Sequence, residues 1–107
     1  MSDTIWHKAA AINELPVGEM KQVQIGPRYV ALYNVEGTIY ATDDICSHAD
    51  ASLSQGYLEG DTVECPLHQG RFHIPTGKAM GAPVTVDIAT YSIKIEGTVI
   101  LVALPPA

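Results

Sequence analysis

Two short motifs hold the side chains most capable of chemistry in this 107-residue chain. Cys46-Ser47-His48 is a C-x-H pair and Cys65-Pro66-Leu67-His68 is a C-x-x-H pair, with sixteen residues, Ala49 through Glu64, between His48 and Cys65. Each motif offers one thiolate and one imidazole from a tight turn, and two such turns can bring four ligands to one metal centre. The bland account is a pair of inert buried thiols with histidines nearby by coincidence. Paired motifs at this spacing, inside a loop-rich segment, argue for a metal instead.

A Cys₂His₂ zinc site uses the same donors, but zinc fingers usually group Cys with Cys and His with His. Here each turn is mixed. A binuclear iron–sulfur cluster accounts for that, because both turns can give a Cys to one iron and a His to the other. On spacing alone a zinc-stabilised binding domain stays open beside the cluster.

Composition narrows the surroundings. Twelve acidic side chains against six basic ones give a net charge of −6 with histidines neutral. Nucleic acid and anionic membrane surfaces are unsuited partners, since both are bound through clustered Lys and Arg. An acidic carrier is steered instead toward a basic patch on another protein. The start, Met1-Ser2-Asp3-Thr4-Ile5-Trp6-His7-Lys8, has no basic region followed by an apolar stretch. No run reaches the ~18 apolar residues of a membrane span. The expectation is a soluble, cytoplasmic monomer, where two cysteines more often bind metal or act in catalysis than form a disulfide.

The elements that must position the motifs read as all-β. Val, Ile, Thr and Tyr are frequent, and Gly and Pro punctuate the chain. Strands are expected at Met20–Ile25, Arg28–Val35, Thr38–Thr42, Thr90–Glu96 and Thr98–Ala103, with weaker candidates at Ile5–Ala9, Thr62–Cys65 and Arg71–Ile74. Glu36-Gly37 makes a hairpin turn between two of them. The alternation of Ile93 and Ile95, then of Val99, Leu101 and Ala103, suits antiparallel strands with one buried face. The one plausible helical turn is near Ile12–Leu15. From about Ile45 to Pro83 apolar periodicity is weak, so metal bonds rather than hydrophobic packing are expected to organise that segment. No repeat or linker divides the chain, which reads as a single domain over residues 1–107.

The stretch Cys46-Ser47-His48 … Cys65-Pro66-Leu67-His68-Gln69-Gly70-Arg71-Phe72 resembles the Rieske iron–sulfur family. It is most similar to the small ferredoxins of bacterial aromatic-ring dioxygenase systems, of the naphthalene and biphenyl types. The likeness extends through Ala31–Gly37, Tyr40–Asp43, Gly56–Gly60, Thr76–Ala79 and Ala82–Thr85. It implies a Rieske domain: an antiparallel β-sandwich base from both chain ends, with a cluster-binding subdomain inserted at approximately 45–83. Cys46 and Cys65 would bind the inner iron of a [2Fe–2S] cluster, and His48 and His68 the outer iron. Gly81-Ala82-Pro83 would be the proline loop covering the cluster, and Leu67 and Pro83 part of an apolar rim.

The implied role is one-electron transfer with no catalysis of its own. A flavoprotein ferredoxin reductase fed by NAD(P)H would donate, and a terminal Rieske non-haem iron oxygenase would accept, in aromatic compound catabolism. The rival within the same fold is the Rieske-like small subunit of assimilatory nitrite reductase, which often lacks the ligands present here. Respiratory relatives add a disulfide between the loops, and a Ser and a Tyr after the second His. This chain has no further cysteines and carries Gly70 and Phe72 at those two positions. With no hydroxyl donors toward the sulfurs, the implied potential is near the bottom of the Rieske range, on the order of −150 mV. His73 stands where relatives carry Asp, and Ala49 where many carry Gly. His73 could tune the cluster, though a solvent-facing strand residue is the simpler reading, as it is for Trp6 and His7. Asp43, Asp44, Asp50, Glu59, Asp61 and Glu64 could form a docking surface or a solvated charged face.

Overall fold

The computed structural model describes residues 5–45, 51–66, 70–80 and 86–104. Within them lie β1 (Ile5–Ala11), β2 (Met20–Ile25), β3 (Arg28–Val35), β4 (Thr38–Asp43), β5 (Tyr57–Glu59), β6 (Thr62–Glu64), β7 (Arg71–His73), β8 (Lys78–Ala79), β9 (Thr90–Tyr91), β10 (Ile93–Glu96) and β11 (Val99–Leu104). Single 3₁₀ turns occupy Ile12–Glu14, as expected, and Leu53–Gln55. The strands form three sheets with orders β1-β11-β10, β2-β3-β4-β9 and β5-β6-β7-β8. Every pairing is antiparallel. The first sheet joins the N-terminal strand to the two C-terminal ones and packs on the second. The third sheet is inserted between β4 and β9, as the resemblance implies.

The middle strand explains the layering. β3 is buried from Val30 through Asn34, so it does not follow the one-sided alternation of a half-exposed strand. Successive side chains point to opposite faces. Val30 and Leu32 enter one core with Val23, Ala41, Ile100, Val102 and Leu104. Ala31 and Tyr33 enter a second core with Leu53, Val63, Cys65, Phe72, Ile74 and Ile88. The first core glues the sandwich and the second glues the inserted sheet to it. The 45–83 segment is therefore seated by hydrophobic packing as well, contrary to the expectation from its weak periodicity. Its strands are so short that only one or two side chains from each face inward, which hides the pattern.

Two further differences lie in the strand pairing. The Thr90–Glu96 run is interrupted at Ser92: β9 pairs with β4, while β10 pairs with β11. One extended segment thus changes sheets, and the Ser92 carbonyl accepts the Ala103 N–H at the corner. β1 continues to Ala11 through a register shift between Lys8 and Ala10, a bulge that breaks the period of two. The hairpin at Glu36-Gly37 is as expected. Both residues have positive φ, 52° and 96°, the conformation of a two-residue turn matched to strand twist. Asn34 braces it, accepting the Gly37 N–H on Oδ1 and donating through Nδ2 to the Leu15 carbonyl.

Tyr33 is fully buried, with its hydroxyl 2.7 Å from Thr42 Oγ1. Thr42 Oγ1 also lies 2.8 Å from the Asp43 carbonyl. Burial pushes this phenol well above the ordinary tyrosine value; the Thr42 hydrogen bond opposes the shift, and the charges of Asp44 and Asp43 add to it. A raised folded pKa makes its contribution to stability complete below the unfolded value of about 10 and lost as pH climbs beyond it. Tyr33→Phe is expected to cost roughly 1 kcal/mol at neutral pH. It should also unfold with a shallower loss of stability above about pH 10 than the parent, as read by urea titrations at stepped pH.

Candidate metal centre

Of the four expected ligands, Cys65 lies among the described residues; Cys46, His48 and His68 fall outside them, as do Leu67, Pro83, Ala49 and Asp50. The structure does, however, describe the scaffold from which the ligand-bearing loops depart. Cys65 follows β6 directly and is fully buried among Leu53, Val63, Phe72 and Ile74. Its N–H donates to the Gly70 carbonyl at 2.7 Å, which closes the loop carrying His68 at its base. A thiolate entering from an apolar floor, with a loop pinched immediately beyond it, suits the inner ligand of a metal centre.

The loop carrying Cys46 and His48 is closed in a comparable way. Ile45 and Ser52 form an isolated antiparallel bridge across its neck. Just before them, Asp44 is fully buried. Its carbonyl accepts the Leu53 N–H at 2.6 Å. Its Oδ1 accepts the Ser54 N–H at 2.9 Å, and its Oδ2 accepts Gln22 Nε2 at 2.5 Å. Gln22 also reaches Ser52 Oγ at 3.3 Å, so one side chain of β2 touches both limbs of the neck. Asp44 is thus structural, which corrects its placement in an acidic docking surface.

Gly56 sets the two necks side by side. A Cβ there would overlap the Glu64 carbonyl oxygen and lie 3.1 Å from the Pro66 ring. The returning limb of the first loop therefore lies flush against the entry to the second. Residues 81–85, which include the expected proline loop, are outside the described residues, but the segments that flank them are tied to one another. Ala79 N–H donates to Asp87 Oδ1 at 2.8 Å, and Ile88 N–H to the Gly77 carbonyl at 2.9 Å. The first loop leaves the second sheet after β4, the second leaves the inserted sheet after β6, and the necks of these two lie in contact. That is the arrangement a shared four-ligand centre requires, and it fits a cluster ligated by Cys46, His48, Cys65 and His68.

Of the other acidic candidates, Asp61, Glu64 and Asp43 have partners. Asp61 Oδ2 lies 2.9 Å from His73 Nε2, whose Nδ1 lies 2.8 Å from Thr76 Oγ1, so His73 buttresses the β7–β8 turn. Glu64 pairs with Arg71 at 3.2 Å. Tyr91 donates to Asp43 at 2.5 Å and accepts from Arg28 at 2.8 Å. Burial raises the Tyr91 phenol, with Asp43 adding to the shift and Arg28 opposing it. Trp6 and His7 are β1 residues paired with Ala103 and Val102. The ligand motifs rest on local spacing, whereas the roles of Asp44, Gln22 and Gly56 depend on partners eight to thirty positions away in the chain. The nearest available signal was Gly56 beside a Tyr-Leu-Glu run, where a small residue marks close backbone approach.

Gly56→Ala is expected to destabilise the fold by about 1–3 kcal/mol through overpacking against Glu64 and Pro66. Gly18→Ala, where the added methyl meets open space, should cost about 1 kcal/mol from its left-handed backbone alone. Paired denaturant curves check the difference.

Comparison with known proteins agrees with this geometry. The family model for the Rieske [2Fe-2S] domain matches residues 5–92. The chain is 50% identical over 99 residues to the ferredoxin component of the naphthalene 1,2-dioxygenase system of Pseudomonas aeruginosa, covering 92% of this chain and 95% of that one. Sphingomonas yanoikuyae B1 ferredoxin superposes with a TM-score of 0.89 at 33% identity, over 94% of this chain and all of the other. The ferredoxin chain in a complex of reduced oxygenase and oxidized ferredoxin in carbazole 1,9a-dioxygenase matches with a TM-score of 0.89 at 36% identity, over 96% of both chains. Among the described residues no helix is long and apolar enough to cross a membrane. With its ligand motifs, its three-sheet fold and half of its residues shared with a dioxygenase ferredoxin, the chain belongs to the Rieske [2Fe–2S] family, as an electron-transferring ferredoxin whose cofactor is a Rieske-type [2Fe–2S] cluster.

Proposed function

We propose that this chain, acting as one domain over residues 1–107, relays single electrons from an NAD(P)H-dependent flavoprotein reductase to a terminal Rieske non-haem iron oxygenase that attacks aromatic compounds. The observation that carries this reading is 50% identity across nearly the full length to a naphthalene dioxygenase ferredoxin component. The likeness to a ferredoxin held in complex with its oxygenase supports the accepting partner. Cys46, Cys65, His48 and His68 would hold the cluster, the first two through thiolates and the last two through imidazoles. When bound, the cluster supplies one-electron oxidation and reduction.

The chain's own residues do the rest. Leu53, Val63, Phe72 and Ile74 keep water from Cys65. Phe72 packs in the same core as Cys65 but offers no hydroxyl, and Gly70 offers only backbone. Fewer donors toward the sulfurs keep the potential low, which suits delivery to an oxygenase and not oxidation of a quinol. A net charge of −6 steers encounters with basic docking patches. Such electron-transfer contacts are small, below ~1,200 Å² in total. The cytoplasm, where NAD(P)H is available, is the compartment this relay requires.

Purified protein is expected to contain two irons and two acid-labile sulfides per chain and to give a mixed-ligand Rieske EPR signal after one-electron reduction. Stoichiometric zinc with no signal would end the proposal. Cys65→Ser and His68→Ala should each lose that signal. The Gly70→Ser, Phe72→Tyr pair should raise the potential in a spectroelectrochemical titration. Electron delivery to an oxygenase of the naphthalene type should slow as salt rises.

A further inference from the structure

Asp44 is the one fully buried carboxylate among the described residues, and the relay described above makes no use of it. It stands two positions before Cys46, so its Cα lies within about 7 Å of that ligand's Cα. Its oxygens accept from the neutral donors Ser54 N–H and Gln22 Nε2. Among the described residues, none of the ion pairs involves it. A carboxylate shielded from solvent is poorly screened by salt. A carboxylate within roughly 10 Å of a redox centre, at an effective dielectric near 20, biases the reduction equilibrium by about tenfold.

We infer that Asp44 is a positioning and potential-setting residue. It clamps the neck of the first ligand loop, and its buried negative charge opposes the arrival of an electron on the cluster. The two roles come from different atoms. The backbone carbonyl, which accepts the Leu53 N–H, needs no charge; the carboxylate faces Ser54 and Gln22 and supplies it. Gln22 is exposed on β2, so a cation placed there would meet the carboxylate without disturbing the core. This inference rests on Cys46 being a cluster ligand.

The test is the potential of the cluster-loaded protein, read by spectroelectrochemistry with EPR of the reduced form. Asp44→Asn keeps the shape and an acceptor for Ser54 but removes the charge. It should favour reduction about tenfold, an upward shift of about 59 mV for one electron, with the Rieske EPR signal retained. Gln22→Lys should move the potential in the same direction by less, and it decides the matter where Asp44→Asn fails to hold iron and sulfide. An unchanged potential in a cluster-loaded Asp44→Asn, or in Gln22→Lys when the first variant does not load, would overturn the inference and leave Asp44 a neck clamp alone. A parent protein without the Rieske signal would overturn the ligand assignment itself, a distinct outcome.

Discussion

The rest of the molecule depends on β3 being buried on both faces. Val30 and Leu32 close the sandwich, while Ala31 and Tyr33, one step out of phase, receive the inserted sheet. A strand with a period of two has only these two faces to offer, and here both are spent on packing. The position of Cys65 relative to the sandwich is thereby fixed through side chains only a few residues apart. Deleting one buried aliphatic from either set costs roughly 2–5 kcal/mol. In this strand such a loss would also loosen the floor beneath the ligand loops, so stability and site geometry are coupled.

Above that floor, the loops are governed at their necks. Asp44 and the Ile45–Ser52 bridge close the first, Cys65 N–H to Gly70 the second, and Ala79 to Asp87 the base of the third. Gly56 brings the first two together because nothing larger than hydrogen fits between its Cα and the Glu64 carbonyl. Each tie is local in space and gives a loop a defined point of departure. Ordering a loop costs entropy that rises only slowly with its length, so closing the necks matters more than shortening the loops.

Much of this was legible in the residues themselves. The ligand motifs rest on spacing within four residues, and the longer strands on alternation and turn residues, so Met20–Ile25, Arg28–Val35 and the Glu36-Gly37 hairpin emerge as read. The missing parts are those whose causes are not local. Tyr57–Glu59 and Lys78–Ala79 are too short for a period to register. Ser92 changes sheets because of what flanks it in space, and the bulge near Ala9 erases alternation. Asp44 looked like surface because it sits beside Asp43 in an acidic chain. Its inward turn is visible only through Gln22, twenty-two positions away.

The count of two cysteines gives these ties their significance. Respiratory Rieske proteins clamp two loops covalently, whereas this chain has no cysteines beyond Cys46 and Cys65. What holds its loops at their roots is a buried carboxylate, a glycine contact and a few backbone hydrogen bonds, each of modest net strength. Metal binding and folding are coupled where a site's ligands come from separate segments. The same economy bears on the redox chemistry. In the relay proposed here, Gly70 and Phe72 without hydroxyls and a buried Asp44 without a described counter-charge would favour the oxidised form of the cluster, the condition in which a carrier gives its electron away readily.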